Sequence, residues 1–480
     1  MSLAKLDQPP ALGPLDGRYS AVVAPLVNYL SEAALNRARI RVEVEWFIHL
    51  LSVDALPGAP KLSDREETYL RGIPDTFGER EIAELGAIEK ETVHDVKAVE
   101  YFLQRRLGTP AQRALGAETV LTEKLAPVIH FACTSEDINN LSYALLVRDG
   151  IHKVWLPAAR ELHGDLSELA GTHGEQPMLS RTHGQPATPT TLGKELVVFA
   201  ARLGRQLDRI EADEFLGKIN GATGTFGAHV VAVPETDWIE VSRSFVEDKL
   251  KLSWNPLTTQ IEAHDWQAEL YSDLARFNRI LHNLATDMWA YISLGYFAQV
   301  RGQGTVGSST MPHKVNPIRF ENAEANLEIS SALLDTLGAT LVTSRLQRDL
   351  TDSTTQRNIG VAIGHSLLAI DNVRRGLAGL DVNPEPMLVD LEANPEVLAE
   401  PIQSAMRAAA IAGVPGMDNP YERLKELTRG HRVSLAEIRD FIDTLGLPPD
   451  AAARLAALTP ATYTGLAAEL VQRYFNDAVD

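Results

Sequence analysis

The side chains best suited to moving a proton beside an anion fall in two glycine-bearing stretches of this sequence. The first is Gly302-Gln303-Gly304-Thr305-Val306-Gly307-Ser308-Ser309-Thr310-Met311-Pro312-His313-Lys314-Val315-Asn316-Pro317. Glycines free the backbone so that successive N–H groups can converge on an anion. Ser308 and Ser309 add hydroxyls, Lys314 a fixed charge and Asn316 an amide. The stretch reads as a mobile flap that closes on a carboxylate and holds an unusually acidic serine. The second stretch runs from Ser180 to Pro189 and sets the imidazole of His183 among hydroxyls and an amide, just ahead of a long proline-free segment. The expectation is a histidine near a helix N-terminus, where anions are favoured and an imidazole can move protons near neutrality.

Two further clusters carry polar groups. In Thr92–Lys97, His94 and Lys97 can share one side of a helical turn, with Asp95 between them; a surface ion pair has the same form. Thr134-Ser135-Glu136-Asp137-Ile138-Asn139-Asn140 has the form of a helix cap, a hydroxyl followed by acids. Gln260 and the Arg345/Arg348/Arg357 group complete the set. The sequence has no Walker-type phosphate loop and no dinucleotide fingerprint. It also lacks zinc-type His/Cys spacing and a nucleophile elbow. With no metal and no cofactor expected, one side chain must remove a proton and another must donate one.

Proline spacing indicates the elements that position these groups. Prolines are absent between Pro189 and Pro234, between Pro256 and Pro312, and between Pro317 and Pro384. Helix interiors exclude proline, so long helices can run in these gaps. In the middle gap Trp266, Leu270, Leu274, Phe277, Leu281, Leu284, Met288 and Ile292 form one apolar stripe. Leu196, Phe199, Leu203, Leu207 and Ile210 form another. The last gap is too long for one helix and predicts two, broken near Arg348-Asp349-Leu350-Thr351-Asp352. The expected fold is all-α, with a central bundle of long helices. Expected domains are residues 1–118, 119–378 with the bundle and flap, and 379–480. Val230-Val231-Ala232-Val233 is the one short strand-like run, read as a hairpin or an extended crossover.

The chain has 480 residues and a formal net charge of −19, with a pI near 5.2. That balance argues against nucleic acid and anionic membranes as partners, and requires any positive charge for an anionic substrate to be local. Cys133 is the single cysteine, so no intrachain disulfide can form and a reducing compartment is expected. No signal peptide and no apolar run of about 18 residues is visible. The expected location is the cytoplasm.

Together the clusters resemble the fumarase/aspartase superfamily, whose members eliminate fumarate from a succinyl compound. Gly307 to Asn316 is similar to that superfamily's Gly-Ser-Ser-x-x-Pro-x-Lys-x-Asn signature at every fixed position. His313 is typical of adenylosuccinate lyases and of carboxymuconate cycloisomerases, and His94-Asp95, Thr134-Ser135-Glu136-Asp137 and Arg181-Thr182-His183-Gly184-Gln185-Pro186-Ala187 narrow the resemblance to the adenylosuccinate lyase family. Asp16-Gly17-Arg18-Tyr19, Lys218-Ile219-Asn220-Gly221 and Glu426-Leu427-Thr428-Arg429-Gly430 extend it over nearly the whole chain, closest to the longer bacterial branch. Val93 departs from the pattern, since that family more often carries Asn or Arg there.

The resemblance implies a cofactor-free lyase of purine biosynthesis. Its substrate would be a succinylated amine on a purine nucleotide or precursor, and its products fumarate with AMP or the corresponding ribotide. It also implies a homotetramer with central helices merged into one bundle and each site drawn from three subunits. Ser308 is then the base and His183 the general acid. Lys314, Asn316, Thr134 and Ser135 neutralise the charge that develops, with Ser309 and Val315 beside them in the flap. Arg18, Tyr19, Arg348, Ser353, Thr354, Thr355, Gln356 and Arg357 take the phosphate and ribose side, and Val93, His94 and Asp95 line that pocket. Gln260 and Asn322 hold the succinyl carboxylates or the base. The alternatives are another superfamily enzyme, such as a carboxymuconate cycloisomerase, and a non-catalytic protein that kept the fold.

Overall fold

The computed structural model describes residues 11–299, 314–427 and 433–477. Ser308, Ser309 and the rest of Gly302–His313 lie outside the described residues, as do Thr428, Arg429 and Gly430. The chain is helical as expected, and its only described strands form three two-stranded sheets. Five long helices occupy the proline-free gaps and their flanks: Leu156–Thr172, Leu192–Glu211, Asp265–Ser293, Ile318–Leu341 and Ile359–Leu377. The last two are separated by residues 342–350 and the short helix Thr351–Gln356, at the polar run where the break was expected. The predicted stripes are buried, from Trp266 to Met288 on one helix and from Leu196 to Ile210 on another. Ile292, at the end of its stripe, is half-buried.

The described residues form two compact units, each assembled from three chain segments. One comprises Met1–Ala159, Gln206–Arg279 and Ala325–Asp371; the other comprises Arg160–Arg205, Ile280–Glu324 and Asn372–Asp480. In the first, the core holds a connected polar network instead of apolar packing alone. Trp155 Nε1 donates to Ser366 Oγ at 2.9 Å, and Ser366 Oγ donates to Asn278 Oδ1 at 2.7 Å. Asn278 Nδ2 donates to Ser330 Oγ at 2.9 Å, which in turn donates to the Ala362 carbonyl at 2.7 Å. Every one of these side chains is buried, so each bond also removes the penalty of an unpaired polar group. The network fixes the register of four helix segments, which apolar stripes alone leave free to slide.

Two local expectations differ from the structure. The run Val230–Val233 is no strand; Gly227–Ala232 is a short helix. Its buried member is His229, whose ring centroid lies 5.4 Å from that of Phe226 and 4.8 Å from that of Trp238, while Val230 and Val231 are exposed. The apolar run therefore does not report a core-facing strand. The second difference is a hairpin in the Ser180–Pro189 stretch, described below.

Asp213, half-buried beyond the end of the Leu192–Glu211 helix, supplies a test of the packing. Burial, with Asp273 and Glu269 nearby, pushes its carboxyl from 3.8 up to about 7. The folded state thus binds this proton more tightly than the unfolded chain. Its contribution is fully present below about pH 4 and is lost as pH rises towards 7. Asp213→Asn is expected to stabilise the protein by about 1–2 kcal/mol at pH 8, after allowance for solvent screening. The gain should fade towards pH 4, as read from thermal unfolding at the two pH values.

Candidate active site

His183 stands at the tip of an antiparallel hairpin formed by β1 (Pro177–Thr182) and β2 (Gln185–Thr191). Thr182 pairs with Gln185, so His183-Gly184 is a two-residue turn. Both turn residues have positive φ, 55° and 74°. That is the conformation whose twist matches flanking strands, and glycine takes its second position without strain. Met178, Leu179, Pro189, Thr190 and Thr191 bury the root, whereas the tip is exposed. This corrects the expected setting. His183 does not sit at a helix N-terminus, because the whole of β2 intervenes before the helix that begins at Leu192. Lys314, Val315 and Asn316 lead into the Ile318–Leu341 helix, with Asn322 in its early turns. Lys314 and Asn316 are exposed, and the Val315 carbonyl accepts a 2.8 Å bond from Gln299 Nε2. His183 and these residues belong to the second unit; the remaining described candidates belong to the first.

In the first unit, Thr134 caps the helix Ser135–Gly150, as its sequence suggested. Thr134 N donates to Asp137 Oδ2 at 2.8 Å. The same carboxylate takes the Asn220 and Gly221 N–H groups at 3.0 and 3.1 Å and pairs with Lys218 Nζ at 2.8 Å. Both charged side chains are fully buried. Asp137 thereby fixes Thr134 and Ser135 and seats the Lys218–Gly221 segment against them.

His94 caps the Asp95–Gln104 helix, its Nδ1 accepting from Lys97 N at 3.1 Å. The preceding Val93 is 87% exposed and left-handed, with φ 51°, an uncommon state for a β-branched residue. Asp95 bonds Arg39 Nη2 at 2.7 Å and lies 3.7 Å from Arg357 Nη2. Burial pushes the Asp95 carboxyl up, but Arg39 and the Val96 N–H outweigh it and hold the group below its ordinary range.

From Asp95 a chain of contacts runs inward. Arg39 Nε donates to Asn139 Oδ1 at 2.8 Å, and Asn139 Nδ2 to Glu136 Oε1 at 2.6 Å. Glu136 Oε1 pairs with Arg348 Nη2 at 2.9 Å, while Arg348 Nη1 lies 3.4 Å from Gln260 Oε1. Burial pushes Glu136 upward against the pull of Arg348. Arg348 Nε, Asp352 Oδ2 and His264 Nε2 are buried and have no hydrogen-bond partner among the described residues; Asp352 Oδ2 and His264 Nε2 lie 3.8 Å apart. Such groups need further donors or acceptors to offset their desolvation.

The short helix Thr351–Gln356 carries Ser353, Thr354, Thr355 and Gln356, and Arg357 follows it. Gln356 Nε2 reaches Gln267 Oε1 at 3.4 Å, and Ser353 N bonds Asp352 Oδ1 at 2.7 Å. Arg18 and Tyr19 lie at the start of the first helix, the guanidinium 5.8 Å from the ring centre. An open cleft of about 560 Å³, lined by Leu15, Asp16, Glu32, Arg357 and His365 among others, brings that N-terminal segment alongside Arg357.

The structure thus joins Asp95, Gln260, Arg348 and Arg357 through Arg39, Asn139 and Glu136, and joins Gln356 through Gln267 and His264 to Asp352, 3.7 Å from Arg348. In the sequence, Glu136 and Asn139 stood only in the cap cluster and Asp352 only in the polar run that breaks the helices, while Arg39 and His264 had no assigned role. One signal was available: Arg39 and Glu43 stand at i and i+4 in a helix otherwise rich in buried apolar residues, and both are buried. Within the described residues no cluster of three or more His, Cys, Asp or Glu suits a metal ion. No helix there is long and apolar enough to cross a membrane.

Two family models match the sequence: a lyase model over residues 17–328 and an adenylosuccinate lyase C-terminal model over residues 344–464. Adenylosuccinate lyase from Escherichia coli (strain K12) is 47% identical over 461 residues, covering 96% of this chain and 98% of that protein. The Haemophilus influenzae adenylosuccinate lyase is 46% identical over 463 residues, with the same coverage of each chain. Among solved structures, a fumarate lyase from Mesorhizobium sp. BNC1 aligns with a TM-score of 0.73 at 19% identity, covering 94% of this chain and 97% of that one. A beta-carboxy-cis,cis-muconate cycloisomerase from Acinetobacter calcoaceticus sp. ADP1 gives 0.70 at 17%, covering 95% and 98%. At these identities the structural likeness speaks for the fold alone.

Proposed function

The chain belongs to the adenylosuccinate lyase family of the fumarase/aspartase superfamily, and on that footing we propose how its residues carry out the elimination. The enzyme is a carbon–nitrogen lyase that releases fumarate. It converts adenylosuccinate to AMP, and the succinylated aminoimidazole carboxamide ribotide to its aminoimidazole carboxamide product. The observation that carries this reading is near-full-length similarity at 47% identity, with one family model spanning the flap and another the C-terminal third.

In the proposed mechanism Ser308, ionised by the flap's N–H groups and Lys314, takes the proton from the carbon next to the distal carboxylate. The electron pair left on carbon delocalises into that carboxylate. Lys314, Asn316, Thr134 and Ser135 neutralise the added charge, each such donor being worth about a hundredfold or more. The C–N bond then breaks, its electron pair goes to nitrogen, and His183 supplies the proton. An exposed tip on a buried root suits that task, because the imidazole can reach substrate while its backbone stays fixed. The Asp95–Arg39–Asn139–Glu136–Arg348 chain orients Arg348 and Arg357 towards phosphate and ribose, and the buried unpaired Arg348 Nε supports a polar ligand there.

The working form is a cytoplasmic homotetramer whose sites draw residues from three subunits, which supplies a reason for candidates being spread over both units. A spectrophotometric assay with adenylosuccinate tests the function. Loss of the succinylated purine absorbance with stoichiometric fumarate is expected, and no turnover would overturn the reading.

A further inference from the structure

Two carboxylates from the C-terminal third tether the hairpin that carries His183, one on each strand. On β1, Arg181 Nη2 pairs with Asp390 Oδ2, and Tyr296 OH donates to the same oxygen. Asp390 is held in turn by Asn394, whose Nδ2 donates to its carbonyl at 2.7 Å and lies 3.4 Å from Oδ1. On β2, Thr188 Oγ1 donates to Glu400 Oε2 at 2.7 Å, and Tyr463 OH reaches that oxygen at 3.0 Å. Tyr296 is almost fully buried, and the Arg181 and Asp390 side chains are 28% and 21% exposed. The first tether is therefore partly shielded from water, unlike an ordinary surface pair.

The tethers bracket the turn. An isolated two-stranded hairpin is marginal in water, and this one also carries Pro177, Pro186 and Pro189, each lacking an N–H for the ladder. Its ladder shifts register between Leu179 and Arg181, directly before the Arg181 tether. The ladder alone gives the tip little rigidity, and fixed points on both strands supply what is missing. We infer that Asp390 and Glu400 are positioning residues for His183, holding the hairpin so that the imidazole meets the leaving nitrogen. The inference rests on His183 being the general acid. Neither carboxylate touches the tip, and the separate adenylosuccinate lyase C-terminal model covers both. One task of that region is thus to aim a residue that lies far upstream in sequence.

The test uses the full chain in its native assembly. Asp390→Ala is expected to lower kcat on adenylosuccinate by about 10–100-fold with KM changed less than about threefold, as misplacement of a reacting group by about 1 Å does. Asp390→Asn, which keeps an acceptor for Tyr296, should recover most of the loss. Amide hydrogen exchange over residues 177–191 should rise in Asp390→Ala. In a His183→Ala background the same change should cost nothing further, because both act through one group. Should Asp390→Ala fail to fold, Glu400→Ala, which removes the acceptor of Thr188 and Tyr463, carries the measurement with the same expected loss. Near-normal kcat in Asp390→Ala or Glu400→Ala, or an equal loss with and without His183, overturns the positioning role. Near-normal kcat in His183→Ala itself overturns the general-acid reading instead.

Discussion

His183→Ala should lower kcat on adenylosuccinate by roughly 10²–10⁴, the range a general acid contributes, while KM and the assembled state change little. The amine leaves poorly unless its nitrogen is protonated as the C–N bond breaks, so loss of the imidazole falls on the transition state and spares substrate binding. The fold should tolerate the change. The side chain is exposed at a turn tip, and the burial that holds the hairpin sits at its root, in Met178, Leu179 and Pro189–Thr191. The turn keeps Gly184, and the histidine lost is an exposed residue. Steady-state kinetics with size-exclusion chromatography on the same sample checks both halves. A kcat within fivefold of the parent, on an intact assembly, would sink the assignment.

Where His183 sits was only partly legible in the sequence. Proline gaps and apolar stripes located the long helices, because a helix repeats its buried face every three or four residues and excludes proline from its interior. The hairpin escaped that logic. Its strands are short, polar and rich in proline, and its turn is His-Gly instead of the Asn-Gly or Asp-Gly that usually announces a two-residue turn. Gly184 after a polar residue was the available signal. Thr134 was legible as a cap because capping is local, and the structure bears that reading out. The chain from Asp95 to Arg348 was not, because it joins residues far apart in sequence: Arg39 to Asp95, Arg39 to Asn139, Glu136 to Arg348. Periodicity reports which face of an element is buried. It does not report which buried charge on one element answers which on another.

Lys218 shows the strength of one such hidden pair. Lys218→Met is expected to destabilise the protein by about 3–5 kcal/mol, since removing one partner of a buried ion pair leaves the other charge uncompensated. Lys218 and Asp137 are both 0% exposed, 2.8 Å apart. The stranded carboxylate would keep the N–H groups of Thr134, Asn220 and Gly221, which places the loss towards the lower end of that range. Asp137→Asn removes the charge those three donors were arranged around, and it leaves a buried ammonium whose nearest other acceptor is the Gly221 carbonyl at 3.3 Å. The double variant carries neither stranded charge, so its loss should be smaller than the sum of the single losses. Urea unfolding followed by circular dichroism measures all three. Single variants within about 1 kcal/mol of the parent would show that the pair does not hold the Ser135–Gly150 helix start and the Lys218–Gly221 segment together. The contrast with His183 is physical. The histidine has an exposed ring and no packing duty, so its loss should silence the chemistry in a folded enzyme. Lys218 never reaches solvent, so its loss should act first on folding and on activity only through the fraction that remains folded.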